Sequence, residues 1–280
     1  MVEGHTPFDR MPLDGKDIAV VIPALNEALR IRGVVEGALA QCARVIVVDD
    51  GSDDDTVGQL ADLPITLLRH PRRMGKGASL RDGFHEALRT GARAVLTMDG
   101  DGQHQASDIP RMLAAANRYP GHIVIGARLR KRSQQPVHRR IANEFGDWGI
   151  AWGCGFRIAD TQSGQRFYPA TVCALGDIPG EDFVYEAQLL ISASRMLGVR
   201  CVSIPIESRY QAATGPVKFR KSHFRPLRDL WRITSHVVGQ VLAYGNVLAE
   251  YRRTRATPAI IHDPTGEFTA TAGLPQTRTG

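Results

Sequence analysis

Short apolar runs alternate along the first half of the chain with longer segments in which apolar residues recur at helical spacing. The runs have no polar face, which is typical of strands buried on both sides of a parallel sheet. They occupy residues 18–22, 45–48, 65–68, 94–98 and 123–125. Asn26 is predicted to cap the first helical segment, which continues to about Gln41. This alternation predicts an α/β fold with a doubly wound, mainly parallel sheet.

The second half of the chain begins after Ala127 with a basic stretch that is too polar to be core. Further predicted helices and strands follow it, and no internal repeat separates the halves, so we expect a single domain with a C-terminal helix. The predicted boundaries are a flexible N-terminus at 1–16, a domain at 17–235 with halves at 17–127 and 128–235, an amphipathic helix at 225–253 and a disordered tail at 254–280.

The chain is basic, because its 280 residues carry a formal net charge of +6 and its pI is near 9.4. Such a charge favours acidic partners, for example phosphates, nucleic acid or an anionic membrane surface. No segment reaches the ~20 apolar residues of a membrane-spanning helix, and residues 1–16 lack the apolar core of a signal peptide. The four cysteines show no metal-ligand spacing, so we expect reduced, buried thiols in a cytoplasmic protein.

Two carboxylates separated by one glycine, Asp99 and Asp101, follow the fourth apolar run. Ligands of open α/β sheets sit outside the carboxyl ends of the strands, and residues i and i+2 of an extended segment point the same way. Both carboxylates therefore suit one hard divalent cation and the phosphates that it neutralises, with Gln103 as a further oxygen ligand. An isolated Asp-Gly-Asp is more often a solvated acidic turn than a metal site, so the residues at the neighbouring strand ends decide between the two interpretations.

The ends of the first two apolar runs carry residues that suit a nucleotide. Asp49 and Asp50 offer carboxylates to a nucleobase edge or a ribose hydroxyl, and residues 23–27 would form the facing wall. Residues 72–77 are basic and glycine-rich, but the Gly-x-x-x-x-Gly-Lys-Ser/Thr of a P-loop is absent, as is the Gly-x-Gly-x-x-Gly of dinucleotide-binding enzymes. The predicted ligand is therefore a nucleotide whose diphosphate lies at the metal.

Four short motifs stand at these strand ends and in the basic loop. They are Val21-Ile-Pro-Ala-Leu-Asn-Glu27, Val47-Val-Asp-Asp-Gly-Ser52, Met74-Gly-Lys-Gly77 and Met98-Asp-Gly-Asp-Gly-Gln-His104. Together they resemble the family 2 inverting nucleotide-sugar glycosyltransferases, and most of all the dolichol-phosphate mannose synthase branch with its bacterial polyprenyl-phosphate relatives. The resemblance covers roughly residues 17–235. It implies an αβα sandwich of the nucleotide-sugar glycosyltransferase A type that uses Mg²⁺ or Mn²⁺.

The resemblance also assigns roles to individual residues. The implied metal ligands are Asp99, Asp101 and Gln103. The implied donor contacts are Pro23, Ala24, Leu25, Glu27, Asp49 or Asp50, Lys76, Asp99, Gly100, Asp101, Arg128, Arg209 and Lys218. The implied acceptor contacts are Arg140, Ser163 and Arg166. The family's aromatic residue at the Leu25 position is absent, and Thr214-Gly-Pro-Val-Lys218 stands where the family has a late Tyr-Gly-x-Ser-Lys loop.

The nature of the acceptor determines which further groups the reaction needs. A lipid phosphate is already anionic and needs only cations, whereas a hydroxyl needs a carboxylate as general base. Asp182 and Glu186 share a predicted helix face and are, with Asp101, the candidate catalytic residues; alternatively they are charges that the helix dipole favours. We favour a polyprenyl-phosphate or other lipid-linked acceptor, because the arginines cluster more clearly than the carboxylates. A hydroxyl acceptor of a cell-envelope product is the alternative.

Two further classes of protein fit the sequence less well. A sugar-nucleotide pyrophosphorylase would carry a glycine-rich loop after the first strand, and a phosphate- or nucleic-acid-binding module would leave Asp99 and Asp101 unexplained. The basic clusters 128–140 and 218–232 are typical either of solvated loops or of a membrane-surface element beside the C-terminal helix. We therefore expect a cytoplasmic protein that binds no nucleic acid, with a peripheral position on the inner face of the cytoplasmic membrane as an alternative.

Overall fold

The computed structural model describes residues 12–129, 137–178, 182–206 and 247–266, together with residues 235, 238, 239 and 242; for residues 137–145, 182 and 183 it describes the backbone alone. The strands are β1 (Ile18–Ala24), β2 (Val45–Asp49), β3 (Thr66–Arg69), β4 (Ala94–Thr97), β5 (Ile123–Ala127), β6 (Arg166–Pro169), β7 (Cys201–Pro205) and β8 (Ile260–Ile261). The helices are α1 (Ile31–Leu39), α2 (Lys76–Arg89), α3 (Ile109–Arg118), α4 (Val137–Cys154), α5 (Ala170–Cys173), α6 (Asp182–Leu197) and α7 (Val247–Ala256).

The described strands form one sheet in the order β3-β2-β1-β4-β6-β5-β7-β8. β6 runs antiparallel to β4 and β5, and the other described pairs are parallel. The predicted mainly parallel sheet is therefore confirmed. Because β2 lies on one side of β1 and β4 on the other, the strand order reverses between β1 and β4, and ligand-binding crevices of such sheets open at the carboxyl ends of the strands at this point.

Helices cover both faces of the sheet, because neighbouring residues of a strand point to opposite faces. Val21 lies in one core cluster with Leu80 of α2, whereas Ile22 lies in a second cluster with Val35 of α1 and Met112 of α3. The first cluster also contains residues of α4 and α6. The runs without a polar face are thus buried on both sides, and the predicted αβα sandwich is confirmed.

The start of α1 differs from the prediction that Asn26 caps it. The helix begins at Ile31, and its N-cap residue is Arg30, whose side chain makes no capping hydrogen bond. Asn26 adopts a positive φ of 56° and accepts a hydrogen bond from the backbone N–H of Asp53 at 2.9 Å. The capping prediction is therefore wrong, because this side chain bridges the loops after β1 and β2 instead.

The C-terminal part of the chain is more ordered than predicted. α7 continues through Thr254 to Ala256, and β8 pairs with β7 through Val202 and Ile260. A disordered tail from residue 254 is therefore wrong for residues 254–266, where backbone pairing at the sheet edge and the buried Ala259 stabilise the segment. The remainder of that predicted tail lies outside the described residues.

Two expectations from composition concern the cysteines and the membrane. Cys42, Cys154, Cys173 and Cys201 are all buried, as predicted. In the described part of the chain, no helix combines the length and the apolar character that crossing a bilayer requires.

Candidate functional site

The carboxylates of Asp99 and Asp101 lie in the loop that follows β4, at the point where the strand order reverses. Asp101 accepts two hydrogen bonds from Gln103, at 2.9 Å from the backbone N–H and 2.7 Å from Nε2. Burial and the nearby charge of Asp99 raise the pKa of Asp101. Two carboxylates this close repel each other unless a cation lies beside them.

Lys76, the first residue of α2, brings a cation to Asp99. Its Nζ lies 2.7 Å from Asp99 Oδ1 and 3.4 Å from Glu186 Oε2, and Nε2 of His104 lies 3.2 Å from Asp99 Oδ2. Burial alone would raise the pKa of Asp99, but Lys76 and His104 outweigh it and hold the pKa far below its usual range. Burial lowers the pKa of Lys76, but the negative charges of Asp99 and Glu186 outweigh burial and raise the pKa above its ordinary value. Lys76 is therefore a fixed positive charge beside the candidate metal ligands.

The chemistry of these ligands fits a divalent cation that arrives with a diphosphate. Among the described residues there is no cluster of three or more His, Cys, Asp or Glu side chains that would hold a metal without help. Mg²⁺ is commonly bound by one or two carboxylates together with substrate phosphates and water, rather than by an all-protein cage. Asp99 and Asp101 match that arrangement, because both are partly exposed at the crevice.

The structure separates the roles of the two neighbouring aspartates after β2. Asp50 accepts short hydrogen bonds from the backbone N–H groups of Met74 and Gly75, at 2.7 and 2.9 Å, and from His70. Asp49 has only long contacts, at 3.3 Å from Ser52 N and from Arg69 Nε. Asp49 is fully buried, so both carboxylates are committed to the loops at the ends of β2 and β3.

A cavity of about 380 Å³ lies beside Asp49 at the ends of β2 and β3, and is lined by Gly51, Ser52, Arg69, His70 and Pro71. The loops that form it are tightly packed, since Gly51 has a φ of +74° and a Cβ there would overlap the backbone of Arg72. The cavity thus has the position and the polar lining that a nucleobase needs.

The end of β1 lies beside the loops that follow β2 and β4. A Cβ added to Gly100 would lie 3.3 Å from the carbonyl oxygen of Pro23, so the loop after β4 touches the end of β1. The Ala24 carbonyl accepts a hydrogen bond from Asp50 N at 2.8 Å. Leu25 is half-buried, and Glu27 pairs with Arg30 at 3.4 Å.

The loop before β6 packs directly on the candidate metal site. A Cβ at Gly164 would overlap the carboxylate of Asp99, and the Gly164 carbonyl accepts a hydrogen bond from Thr97 Oγ1 at 2.8 Å. Arg128, after β5, forms a bidentate pair with Asp160 at 2.8 and 2.9 Å. Burial raises the pKa of Asp160, but Arg128 outweighs it and brings the pKa to about 2. Arg128 therefore anchors this loop close to Asp99.

Arg166 does not lie where an acceptor phosphate would reach it. Its side chain is 3% exposed. Its nitrogens donate to the carbonyls of Ser163 and Thr161, at 2.8 and 2.7 Å, and to the Tyr168 hydroxyl at 3.1 Å. Ser163 is itself fully buried. The structure therefore contradicts the prediction that Arg166 and Ser163 contact the acceptor: both are committed to the shape of the loop before β6.

Comparison with known proteins decides the family. The sequence model described as glycosyl transferase family 2 matches residues 19–176, which contain all of the strand-end motifs. The chain belongs to this family. It is therefore a sugar-transferring enzyme, and the site around Asp99 lies within the matched region of the glycosyltransferase.

Two curated relatives of this glycosyltransferase act on lipid phosphates by name. An undecaprenyl-phosphate mannosyltransferase of Micrococcus luteus is 28% identical over 204 residues, which cover 68% of this chain and 82% of the relative. A UDP-N-acetylglucosamine–dolichyl-phosphate N-acetylglucosaminyltransferase of Methanococcus voltae is 26% identical over 175 residues, which cover 55% and 69% of the two chains.

Among solved structures, glucosyl-3-phosphoglycerate synthase of Mycobacterium tuberculosis, in complex with Mn²⁺, UDP and glucosyl-3-phosphoglycerate, shares the fold. It is 22% identical, has a TM-score of 0.55, and the match covers 82% of this chain and 80% of that one. This likeness confirms the predicted glycosyltransferase A-type fold.

Several predicted site residues of the glycosyltransferase cannot be placed. Arg209 and Lys218 lie outside the described residues, and only the backbone of Arg140 and Asp182 is described. Conversely, the sequence-based site omitted His70, a buried residue that contacts Asp50. Its only signal in the sequence was its position directly after a strand that reaches the crevice.

Proposed function

We propose that this family 2 glycosyltransferase transfers one sugar from a nucleoside-diphosphate sugar to a polyprenyl phosphate, with Mg²⁺ or Mn²⁺ bound by Asp99 and Asp101. The observation that carries the proposal is the meeting of three features at the β1/β4 crevice. These are the cavity beside Asp49, the paired carboxylates after β4 and the fixed cation of Lys76.

The donor end of the reaction needs compensation of negative charge. When the bond between the sugar C1 and the diphosphate oxygen breaks, charge develops on the leaving diphosphate, and a divalent cation would stabilise it there as a Lewis acid. Asp99 and Asp101 would hold that cation, with Gln103 beside them. Lys76 would add a positive charge on the side of Asp99 where its Nζ already lies 2.7 Å from the carboxylate.

The nucleoside would occupy the cavity after β2 and β3. Ser52 and Arg69, which line the cavity, would offer polar groups to the base or the ribose, and the fully buried Asp49 would hold both of them in place. Pro23 and Ala24 would form the opposite wall. The structure of the Mycobacterium tuberculosis enzyme in complex with UDP and Mn²⁺ supports a nucleotide ligand for this fold.

A phosphate acceptor agrees with the surroundings of Glu186. This carboxylate is 9% exposed and lies between two cations, 3.4 Å from Lys76 Nζ and 3.8 Å from Arg166 Nη1. These ion pairs commit the carboxylate to holding Lys76 and Arg166 in place, a role that a phosphate acceptor permits because it needs no general base. The names of the Micrococcus and Methanococcus relatives point to the same acceptor class.

An acceptor competition tests the proposal. The donor is chosen by a thermal-shift screen of UDP-, GDP-, dTDP- and CDP-sugars with Mn²⁺, and is then offered with a short-chain polyprenyl phosphate, the matching polyprenol or 3-phosphoglycerate. Without a general base the neutral alcohol forgoes roughly 10²–10⁴-fold in rate, so we expect transfer to the polyprenyl phosphate to be faster by at least ~100-fold. Faster transfer to the polyprenol would establish the hydroxyl alternative. Transfer to 3-phosphoglycerate alone would exclude the lipid acceptor.

We further propose that the enzyme meets its acceptor at an anionic membrane surface. Trp148 and Trp152 of α4 lie 4.9 Å apart by ring centroids, and Tyr251 of α7 packs edge-on against both. Trp148 is 42% exposed and the neighbouring Leu248 68% exposed.

We call Trp148, Trp152, Leu248 and Tyr251 the aromatic face. The exposed arginines of α7 are Arg252, Arg253 and Arg255. Amphipathic aromatic rings beside basic residues suit a headgroup interface with anionic lipids.

Vesicle binding tests the aromatic face. We expect the protein to sediment with vesicles of equal parts phosphatidylglycerol and phosphatidylcholine, and raised salt to release much of it. Leu248→Ser should reduce the bound fraction severalfold, because it removes exposed apolar area. Leu29→Ser removes a comparably exposed leucine from the turn before α1 and should leave binding unchanged. Equal effects of the two substitutions would refute this surface.

A further inference from the structure

His70, directly after β3, is held between two carboxylates. The residue is 6% exposed, with Nδ1 2.7 Å from Asp50 Oδ1 and Nε2 2.9 Å from Asp82 Oδ2. Its backbone N–H donates to the Asp49 carbonyl at 2.9 Å, so the ring is also fixed relative to β2. The ring thereby links the ends of β2 and β3 to the second turn of α2.

The two partners determine the charge of this ring. An ionised carboxylate only accepts hydrogen bonds, and a neutral imidazole has a single N–H. Both contacts are satisfied together only when both ring nitrogens carry a proton, that is, by the imidazolium ion. Burial lowers the pKa of His70, but Asp50 and Asp82 outweigh it and raise the pKa above its ordinary value.

Asp50 connects this charge to the loop over the cavity. We call residues 71–75 the strap. Asp50 Oδ1 accepts a hydrogen bond from Met74 N at 2.7 Å, and Oδ2 accepts one from Gly75 N at 2.9 Å. Gly75 has a φ of +96°, a conformation that a residue with a Cβ rarely adopts, and it is the N-cap residue of α2. The path of the strap is thus set by Asp50, whose buried charge is balanced by His70.

The strap ends at Lys76, the residue that bridges Asp99 and Glu186. A continuous series of contacts therefore runs from Asp82 through His70, Asp50 and Gly75 to the cation at the candidate diphosphate site. We propose that His70, as the imidazolium ion, is a positioning residue that holds the strap on Asp50 and so keeps Lys76 in place for the donor diphosphate. This inference rests on the proposed function for the donor, but not on the nature of the acceptor.

The other charged groups around His70 are already paired or exposed to solvent. At the end of β2, Asp49 lies 3.3 Å from Arg69 Nε, and the Arg69 side chain is 59% exposed. On the strap, Arg72 and Arg73 are exposed. The proton on His70 is therefore governed by Asp50 on one side and by Asp82 on the other.

The sign of the pH dependence follows from the raised native pKa. The imidazolium contributes stability fully below the unfolded-state value near ~6.5, and this contribution is lost as the pH rises through the native value. Nucleotide affinity should decline over the same alkaline interval, because the strap loses its balanced anchor. Asp82, whose side chain is 43% exposed, lies two helical turns from the diphosphate site on α2, and its loss should lower the pH at which His70 releases its proton.

The experiment compares Asp82→Asn with Glu86→Gln. Glu86 lies one turn further along α2, pairs with Arg89 and does not contact His70, so its replacement is a charge-matched control. Binding of the nucleoside diphosphate selected from UDP, GDP, dTDP and CDP, in the presence of Mn²⁺, is measured by calorimetry as the pH rises. We expect the alkaline decline to move down by about one pH unit in Asp82→Asn and to stay in place in Glu86→Gln. In His70→Asn we expect the affinity for the nucleotide to be roughly tenfold weaker than in wild type, and we expect it not to decline as the pH rises.

A second measurement separates this inference from the proposed function. In the protein without nucleotide, the ¹⁵N shifts of the His70 ring should show two protonated nitrogens at neutral pH, and Asp82→Asn should move their titration downward. If no nucleoside diphosphate binds, the proposed function fails while this titration remains a test of the imidazolium. A ring with one protonated nitrogen, or identical pH profiles for wild type, Asp82→Asn and Glu86→Gln, would overturn the inference.

Discussion

Asp101→Asn should reduce sugar transfer by roughly 10²–10⁴-fold and abolish the metal dependence of nucleotide binding. A metal ion supplies several kcal/mol of charge stabilisation in the transition state, and each ~1.4 kcal/mol is a factor of ten in rate. Asparagine keeps the shape of the side chain but removes the anionic ligand. Initial rates and calorimetric titration of nucleotide, each with and without Mn²⁺, would measure the effect.

The fold should survive this substitution, because the free enzyme gains nothing from the charge of Asp101. Its pKa is raised by burial and by Asp99, so neutralising it relieves repulsion, and one amide oxygen still accepts the Gln103 N–H. Asp55→Asn is the matched control, since Asp55 is exposed in the loop after β2 and its carboxylate accepts a hydrogen bond from Gln59 Nε2 at 2.7 Å. Undiminished transfer by Asp101→Asn in excess chelator would refute the metal assignment.

Arg166→Met should lower the free energy of unfolding by about 3–5 kcal/mol. Removing one partner of a buried charge pair leaves the other charge uncompensated, and carbonyls that lose their donors add to the loss. Here Glu186 would lose one of its two cations, and the carbonyls of Thr161 and Ser163 would lose their donors. Urea denaturation would measure the change.

This prediction separates a structural role of Arg166 from contact with the acceptor. A residue that only held the acceptor phosphate would change the KM for acceptor and leave stability intact. Arg89→Met is the control, because the Arg89 side chain is 71% exposed and surface substitutions usually stay within ~0.5 kcal/mol. If Arg166→Met fails to fold, Arg166→Lys keeps the charge without the forked geometry and should show a smaller loss in the same direction.

The sequence predicted those parts of the fold that depend on local pattern. The apolar runs identified β1 to β5, since strands buried on both faces have no polar positions, and the carboxylates after β4 fell at the predicted edge. The antiparallel insertion of β6 between β4 and β5 could not be predicted from the sequence, because the pairing of Phe167 with Leu96 joins residues far apart in the chain. Such long-range contacts set the order of the strands in the sheet, and they leave no periodic pattern in the sequence from which that order could be predicted.

The sequence could not assign separate roles to neighbouring residues of the candidate site. Asp49 and Asp50 are adjacent and chemically identical, and only the fold shows that Asp50 binds the backbone of Met74 and Gly75. Arg166 looked like an anion contact because arginines usually reach solvent, whereas here it is buried against Tyr168. Residue type predicts the available chemistry, and burial determines which groups remain free to use it.

The position of β6 has a consequence for synthesis of the chain on the ribosome. Among the described strands, β5 pairs with β6 and β7 and with no earlier strand. While the polypeptide emerges, β1 to β4 are able to assemble, but β5 has no partner until residues 166–169 have left the exit tunnel. During that interval the edge of β4 and the apolar β5 are both unpaired, and such edges are prone to intermolecular pairing. Nascent chains that stall before Arg166 should therefore be the most dependent on chaperones.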